Sequence, residues 1–193
     1  DSVFISAVEP YSASPDFSNC FVTKIDVSRR NDLDITVSEV EYFDFDADGV
    51  NEIVFSISVG YNWFPRKLFV FHPDEGKVQS SEEFGVHFSL LKSFDYMQDG
   101  KAELICVSSS AKNISLPGIK YSDDRPRLFV FNSDLKEEFP PVNLPEGIGS
   151  RVKYYIIDEK EGQIILLYYN YSTENAETFA STVFVDGRTQ KND

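Results

Sequence analysis

Histidine, cysteine, tryptophan and methionine are scarce in this sequence of 193 residues, which contains two, two, one and one of them. The two histidines, His72 and His87, are too few for a histidine-rich metal centre, and we expect both to be solvated or core residues. The cysteines, Cys20 and Cys106, lie far apart in apolar, strand-like runs. That placement favours buried free thiols over a disulfide and excludes a cysteine metal site.

Other familiar signals are also missing. The sequence contains no nucleophile elbow and no glycine-rich phosphate loop, so no common catalytic motif is visible. It has no apolar run long enough for a transmembrane helix, and we expect no insertion of this segment into a membrane. Basic residues number 18 against 32 acidic ones, for a net charge of −14. Such a charge disfavours nucleic acid and anionic membranes as partners, because both would be repelled.

Aromatic residues are abundant, with 17 Phe and 10 Tyr. Flat rings pack well on pleated surfaces, so this composition favours β-strands, and no segment is typical of a helix. The length fits a single domain of residues 1–193 or a fragment of a larger one. The chain begins at Asp1 directly before an apolar run, and we therefore expect a processed or excised segment of a longer protein.

The most informative stretch is an acidic loop in residues 43–53. Asp44, Asp46 and Asp48 alternate, Gly49 follows, and Glu52 closes the run before an apolar segment. Carboxylates at every second position of a tight loop can converge on one point, as Ca²⁺ requires, and Gly49 supplies the sharp turn. Strand-like residues flank the loop, and Phe55 stands where an EF-hand needs its bidentate Glu, so the loop is not an EF-hand.

The same frame recurs in a reduced form further along the chain. Asp95, Asp99, Gly100 and Glu103 keep their places, but Met97 replaces an aspartate. The tetrapeptide Leu-Phe-Val-Phe also occurs twice, at 68–71 and 128–131. A period of about 50 residues with four short strands per unit is typical of β-propeller blades.

The sequence therefore predicts an all-β fold, a β-propeller or propeller fragment of about four four-stranded antiparallel blades. The approximate blades are residues 1–38, 39–84, 88–142 and 150–190. In this interpretation Ile35–Val37 forms the outer strand of the first blade, which lacks an inner strand, and the last blade lacks an outer strand. The N-terminal segment completes the last blade, or the chain is cut from a larger propeller, or a partner copy covers the edges of an open stack.

The run from Asp44 to Ile53 resembles the FG-GAP/VCBS repeat family, whose members build β-propellers in integrin α-subunit heads and in many bacterial extracellular proteins. The resemblance implies a Ca²⁺ ion held by the side chains of Asp44, Asp46, Asp48 and Glu52 and by the carbonyl of Val50. Only this loop matches the motif well. We therefore expect one structural Ca²⁺ and, at most, a weak site at Asp95.

The connections on the opposite side from the acidic loops carry aromatic side chains. Exposed rings on one face suit stacking on sugars or docking of a protein, whereas rings that seal the sheet edges have only a packing role. The predicted ligand-binding residues are Tyr11, Tyr61, Trp63, Phe64, Tyr121 and Tyr171.

These features predict a non-catalytic, calcium-stabilised binding or sensing module outside the cytoplasm. It would belong to a larger surface or secreted protein, and its partner would be a protein or a carbohydrate. One alternative is a fragment of a propeller-type polysaccharide-degrading enzyme, similar to some lyases. The candidate basic residues for that chemistry are Arg66, Lys112, Lys120 and Arg125. Another alternative is a scaffold domain that only spaces its neighbours.

Overall fold

The computed structural model describes residues 2–8, 15–25, 35–60, 63–112, 118–144, 150–158, 163–170, 178–184 and 188–192. Within these ranges all regular elements are β-strands, arranged in antiparallel sheets. The predicted all-β class is therefore confirmed. In the same part of the chain, no helix has the length and apolar character needed to cross a membrane.

The strands form four sheets in chain order. The first sheet contains β1 (Ser2–Val8) and β2 (Pro15–Lys24). The second contains β3 (Ile35–Val37), β4 (Glu41–Phe43), β5 (Glu52–Val59), β6 (Arg66–His72) and β7 (Lys77–Ser80). The third contains β8 (His87–Phe94), β9 (Glu103–Ser109), β10 (Arg127–Phe131) and β11 (Val142–Asn143). The fourth contains β12 (Ser150–Asp158), β13 (Gln163–Asn170), β14 (Thr178–Phe184) and β15 (Thr189–Asn192).

The assignment of Ile35–Val37 to the first blade was wrong. Both β3 and β4 pair with β5, Ile35 opposite Val59 and Glu41 opposite Val54. Between them the Ser38 N–H donates to the Ser56 carbonyl (3.0 Å), and the Ser56 N–H donates to the Ser38 hydroxyl (2.8 Å). The two short strands therefore form one interrupted edge strand of the second sheet.

The prediction that the last blade lacks its outer strand was also wrong. Strand β15 pairs antiparallel with β14, Ala180 opposite Asn192 and Val183 opposite Thr189. Its sequence is Thr-Gln-Lys-Asn, which has no apolar alternation, because an outer edge strand contributes little to the core. The fourth sheet therefore contains four strands, as the third sheet does.

Sheets pack face to face, so the middle sheets are covered on both sides. On β5, Phe55 and Ile57 face the first sheet, whereas Val54 belongs to the cluster shared with the third sheet. On β10, Phe129 faces the second sheet, whereas Leu128 faces the fourth. Successive residues of a strand point to opposite faces, so burial on both faces requires unbroken apolar runs. This explains the repeated Leu-Phe-Val-Phe.

Aromatic rings fill the space between the second and third sheets. Phe84 packs edge to face against Phe88, Phe129 and Phe131, with ring centroids 5.5, 5.9 and 5.7 Å apart. All of these side chains are buried. Edge-to-face pairs add to the hydrophobic gain from burial, so this cluster helps to hold the second and third sheets together.

A buried ion pair joins the same two sheets at the end away from the acidic loops. The Arg66 guanidinium lies 3.7 Å from the Asp123 carboxylate, and both side chains are fully buried. Arg66 also donates to the carbonyls of Val59 (3.3 Å) and Gly85 (3.1 Å). Burial lowers the pKa of Arg66 to about 10, and Asp123 opposes that change, so Arg66 stays charged at neutral pH.

No strand pairing among the described residues joins the first sheet to the last. The rings of Phe4 and Phe21 form an edge-to-face pair on the first sheet and are 52% and 49% exposed. The architecture is therefore an open series of four antiparallel sheets. Ring closure stays a prediction.

Removing one partner of the buried ion pair should destabilise the protein. Asp123→Asn leaves the buried Arg66 charge without its counter-ion, and we expect a loss of about 3 kcal/mol in the free energy of unfolding, measured by urea denaturation. Asp134→Asn is the control, because Asp134 forms an exposed pair with Lys136. If both substitutions lower the free energy of unfolding equally, the buried Arg66–Asp123 pair contributes no more to stability than the exposed pair.

Candidate metal centre

The acidic loop between β4 and β5 is held in shape by its own carboxylates. The Asp44 carboxylate accepts hydrogen bonds from the Asp48 N–H (3.1 Å) and the Gly49 N–H (3.0 Å). Ala47 and Gly49 have φ angles of 63° and 93°, in the left-handed region that favours glycine. The chain therefore wraps around the side chain that begins the motif.

The other two aspartates each use one oxygen for the backbone. Asp46 Oδ1 accepts from the Asp48 N–H (3.2 Å), and Asp48 Oδ1 accepts from the Val50 N–H (2.7 Å). One carboxylate oxygen from each of Asp44, Asp46 and Asp48 lies within 4.8 Å of the others. Three negative charges at that separation repel one another, and a bound cation would remove the repulsion. The structure thus brings the three predicted aspartate ligands together.

Glu52 lies beneath the loop at the first residue of β5, and its side chain is fully buried. Its Oε2 accepts from the Phe45 N–H (2.8 Å), but its Oε1 is buried without a hydrogen-bond partner. Burial raises the pKa of Glu52, the Phe45 N–H lowers it, and the nearby Asp46 charge raises it further. A buried, unpartnered carboxylate oxygen is costly unless a cation or proton accompanies it.

Val50 was predicted to contribute its carbonyl. The residue lies in the loop, and its N–H is the donor to Asp48 Oδ1. The ligand role of its carbonyl stays a prediction.

His72 reaches the same group of side chains, and the sequence analysis missed it. Its Nδ1 lies 3.9 Å from Asp46 Oδ2 and 3.8 Å from Glu52 Oε1. The signal was present in the strand register: Phe71 pairs with Ile53, so the next residue on β6 stands opposite the residue before Ile53 on β5. That residue is Glu52. The expectation of a solvated or core histidine did not use this pairing.

The second acidic loop repeats the backbone geometry of the first. Asp95 accepts from the N–H groups of Asp99 and Gly100, both at 3.0 Å. Gln98 and Gly100 have φ angles of 57° and 88°, close to those of Ala47 and Gly49. The second loop therefore takes this shape with one carboxylate fewer. The backbone conformation does not depend on a full set of aspartates.

Two residues near the second loop differ in type from their counterparts near the first loop. Met97 stands where the first loop has Asp46, and Asn132 follows the second Leu-Phe-Val-Phe as His72 follows the first. Glu103 is buried like Glu52, and its Oε2 accepts from the Tyr96 N–H (2.8 Å) and the Met97 N–H (3.1 Å). The buried glutamate is kept in the second repeat unit. Met97 and Asn132, which replace Asp46 and His72, would be weaker metal ligands than those residues.

A polar pocket of about 240 Å³ opens beside the second loop. Its lining includes Phe45 from the first loop and five charged residues, Asp99, Lys101, Glu103, Asp134 and Glu138. The two loops are therefore neighbours on one side of the molecule.

The predicted ligand-binding aromatics are only partly described. Tyr11, Tyr61 and Tyr171 lie outside the described residues. Trp63 and Phe64 are half-buried in the connection between β5 and β6.

Tyr121 packs on the core. Its ring stacks on Phe84, with centroids 6.4 Å apart, and meets Phe129 edge to face at 5.5 Å. Its hydroxyl donates to Glu137 Oε2 (3.3 Å). A packing role is therefore visible for Tyr121, and its contact with a ligand stays a prediction.

The four basic residues considered for a lyase-like reaction do not share one environment. Arg66 is fully buried against Asp123. Lys120 Nζ lies 2.6 Å from Glu82 Oε1 and 2.9 Å from Glu137 Oε2. Arg125 pairs with Asp124, and Lys112 is exposed. Buried Arg66 has no access to a polymeric substrate.

No protein-family model and no curated protein matches the chain. A solved structure of the Bacillus licheniformis rhamnogalacturonan lyase PL11 is similar at a TM-score of 0.47 and 17% sequence identity. The similarity covers 82% of this chain and 34% of the lyase chain, so this chain spans about a third of that enzyme. At this level the likeness carries no conclusion about fold or function.

The buried Glu103 should make stability depend on pH. Burial raises its pKa above the ordinary value of 4.5, against the opposing effect of the Met97 and Tyr96 N–H groups. The folded state therefore holds the proton more tightly than the unfolded state just above pH 4.5, and stability falls as the pH rises through that window.

Glu103→Gln keeps an oxygen acceptor for the two N–H groups and removes the titration. We expect a flatter dependence of the unfolding free energy on pH and a higher unfolding free energy than the unsubstituted protein at pH 7, measured by urea denaturation in EDTA. Glu138→Gln, at an exposed position, is the control. A lower stability of Glu103→Gln at pH 7 but not at acidic pH would show that the buried charge is stabilising.

Proposed function

We propose that this chain is a non-catalytic, calcium-stabilised binding module that works outside the cytoplasm as part of a larger surface or secreted protein. The observation that carries the proposal is the loop at 44–52. There, three aspartate carboxylates converge and the buried Glu52 presents an unpartnered oxygen beneath them. The FG-GAP/VCBS-like motif in the same residues supports Ca²⁺ as the ion.

The chemistry of the donors favours a hard cation. Asp44, Asp46, Asp48, Glu52 and the Val50 carbonyl offer only oxygen, which is the donor that Ca²⁺ takes. The ion's role is structural, because the loop joins two adjacent strands, β4 and β5, and the ion would pin that turn. A site with so few ligands suits the millimolar Ca²⁺ outside cells, where weak loops stay filled.

The stacked sheets support a propeller-like arrangement of the module. Each sheet packs its face on the next in chain order, and the two well-described repeat units share their loop geometry. The exposed Phe4–Phe21 face of the first sheet is where a further blade would pack. We propose that the four sheets are consecutive blades of a larger propeller.

Ligand recognition is assigned to the connection between β5 and β6, on the side away from the acidic loops. It carries Trp63 and Phe64, both half-buried, so parts of both rings remain accessible. Partly exposed rings can stack on sugars or dock on a protein. The enzymatic alternative requires an accessible base among carboxylates. Lys120 is accessible and lies between Glu82 and Glu137, but its ion pairs with them favour the protonated form, which is a poor base.

Calcium should raise the melting temperature through the first loop. We expect a clear upward shift between EDTA and millimolar Ca²⁺, measured by thermal denaturation, because an ion that binds only the folded state stabilises it. Asp48→Asn should abolish most of this shift: it keeps the acceptor for the Val50 N–H and removes one charged ligand.

Asp99→Asn is the matched control, because it changes the equivalent residue of the second loop and should leave the shift intact. No shift in the unsubstituted protein would contradict a calcium site in this loop.

Trp63 should report on ligand binding, because it is the one tryptophan of the sequence. Carbohydrates or proteins that bind this face are expected to change its fluorescence emission, and Trp63→Ala should weaken that binding at least about tenfold. If an independent assay shows that a ligand binds and the emission of Trp63 stays unchanged at saturating ligand, the binding site lies elsewhere.

The lyase alternative has its own test. The protein should be assayed for unsaturated products from polygalacturonate, and their formation would favour that alternative.

A further inference from the structure

Next to the oxygen ligands of the acidic loop lies a second group of donors that includes a nitrogen. One ligand atom from each of Asp46, Glu52 and His72 lies within 4.8 Å of the other two. The two distances from His72 Nδ1 are 3.9 Å to Asp46 and 3.8 Å to Glu52. The group spans a connecting loop and two strands, so the fold and not a single motif brings it together.

The tautomer of His72 follows from its neighbour on β7. The Gln79 side-chain amide donates to the Ser133 carbonyl (3.2 Å), which turns its Oε1 toward His72 Nε2 at 3.4 Å. An amide oxygen only accepts hydrogen bonds, so Nε2 carries the proton. The lone pair of neutral His72 is then on Nδ1, directed at the two carboxylates. Donation of the second ring N–H to an oxygen is how proteins orient metal-binding histidines.

Three acceptors therefore meet with no donor between them. Glu52 strengthens the case, because its side chain is fully buried and its Oε1 has no hydrogen-bond partner. A lone pair and two carboxylate oxygens repel one another unless a positive charge is shared among them. Either a metal ion or a proton on Nδ1 can supply that charge.

We propose that Asp46, Glu52 and His72 form a binding site for a divalent transition-metal ion, with Zn²⁺ as its representative. Imidazole nitrogen suits Zn²⁺ and its neighbours in the first transition series, whereas Ca²⁺ takes oxygen ligands. A tetrahedral Zn²⁺ ion with bonds of about 2.1 Å separates its donors by about 3.4 Å. The separations of 3.9 and 3.8 Å from His72 Nδ1 to Asp46 and Glu52 exceed that value by only a few tenths of an ångström.

The second repeat unit lacks this site, although its loop has the same shape. There Met97 and Asn132 replace Asp46 and His72, and only Glu103 remains. The nitrogen site is therefore a property of the first loop. It shares Asp46 and Glu52 with the calcium site, and to that extent it rests on the proposed function, so the two ions are expected to exclude each other.

Nuclear magnetic resonance of the imidazole nitrogens tests the proposal on the whole chain. The sequence has only two histidines, so the signals of His72 and His87 can be assigned by substitution. Addition of Zn²⁺ to metal-free protein at pH 7.5 should shift His72 Nδ1 strongly and leave His87 unchanged. An unchanged His72 signal at saturating Zn²⁺, or equal shifts at both histidines, would overturn the proposal.

Substitutions separate this site from the calcium site. His72→Asn introduces the residue found in the second repeat unit and should weaken Zn²⁺ binding at least about tenfold by titration calorimetry, with the Ca²⁺-dependent melting shift retained. Asp48→Asn should remove most of the Ca²⁺-dependent melting shift and retain the Zn²⁺ affinity, because Asp48 groups with Asp44 and Asp46 and not with His72. Full Zn²⁺ affinity in His72→Asn would overturn the assignment.

Gln79 provides a second test that leaves all three ligands in place. Gln79→Leu removes the acceptor for Nε2 and should weaken Zn²⁺ binding about tenfold, whereas Gln79→Glu keeps an acceptor and should retain the affinity. If neither substitution changes the affinity, the orientation inferred for His72 is wrong. If Zn²⁺ binds but Ca²⁺ does not stabilise the protein, the proposed calcium role fails and the nitrogen site stands.

Discussion

The buried carboxylate of Glu52 is the constraint on which the proposed metal centre depends. One oxygen holds the backbone of the loop through the Phe45 N–H, and the other remains unpartnered beneath Asp46 and beside His72. The side chain cannot turn to water, because it sits at the first residue of a strand whose sheet is covered on both faces. The proposed cation would offset the free-energy cost of burying this oxygen without a hydrogen bond.

The sheets supply the rigid frame that keeps these donors in place. Burial on both faces of the middle sheets fixes the register of β5 against β6, and that register sets Glu52 opposite His72. The aromatic cluster around Phe84 and the Arg66–Asp123 pair hold the second and third sheets together at separate points. A slip of one residue would exchange the two faces of β10 and turn Phe129 away from the aromatic cluster, so the packing of one repeat unit on the next favours a single register.

The sequence predicted a structural element well where the residues that determine its conformation lie close together in the chain. The first aspartate and the glycine are enough to predict the shape of the acidic loop, because the second loop has the same shape although Met97 interrupts the alternation of aspartates. Edge strands were harder to predict. β3 was assigned to the wrong sheet and β15 was not foreseen, since a short edge strand has little apolar alternation and its partner is chosen by backbone hydrogen bonds.

The sequence by itself determined the all-β class, the two acidic loops and the apolar runs of the inner strands, because these depend on residue type and spacing over a few positions. The tertiary structure alone decided that Glu52 loses its contact with water, that His72 faces two carboxylates, and that Arg66 is buried against Asp123. Each of those contacts joins residues from different strands or different sheets. Their proximity depends on strand register and sheet packing, which no short stretch of sequence encodes.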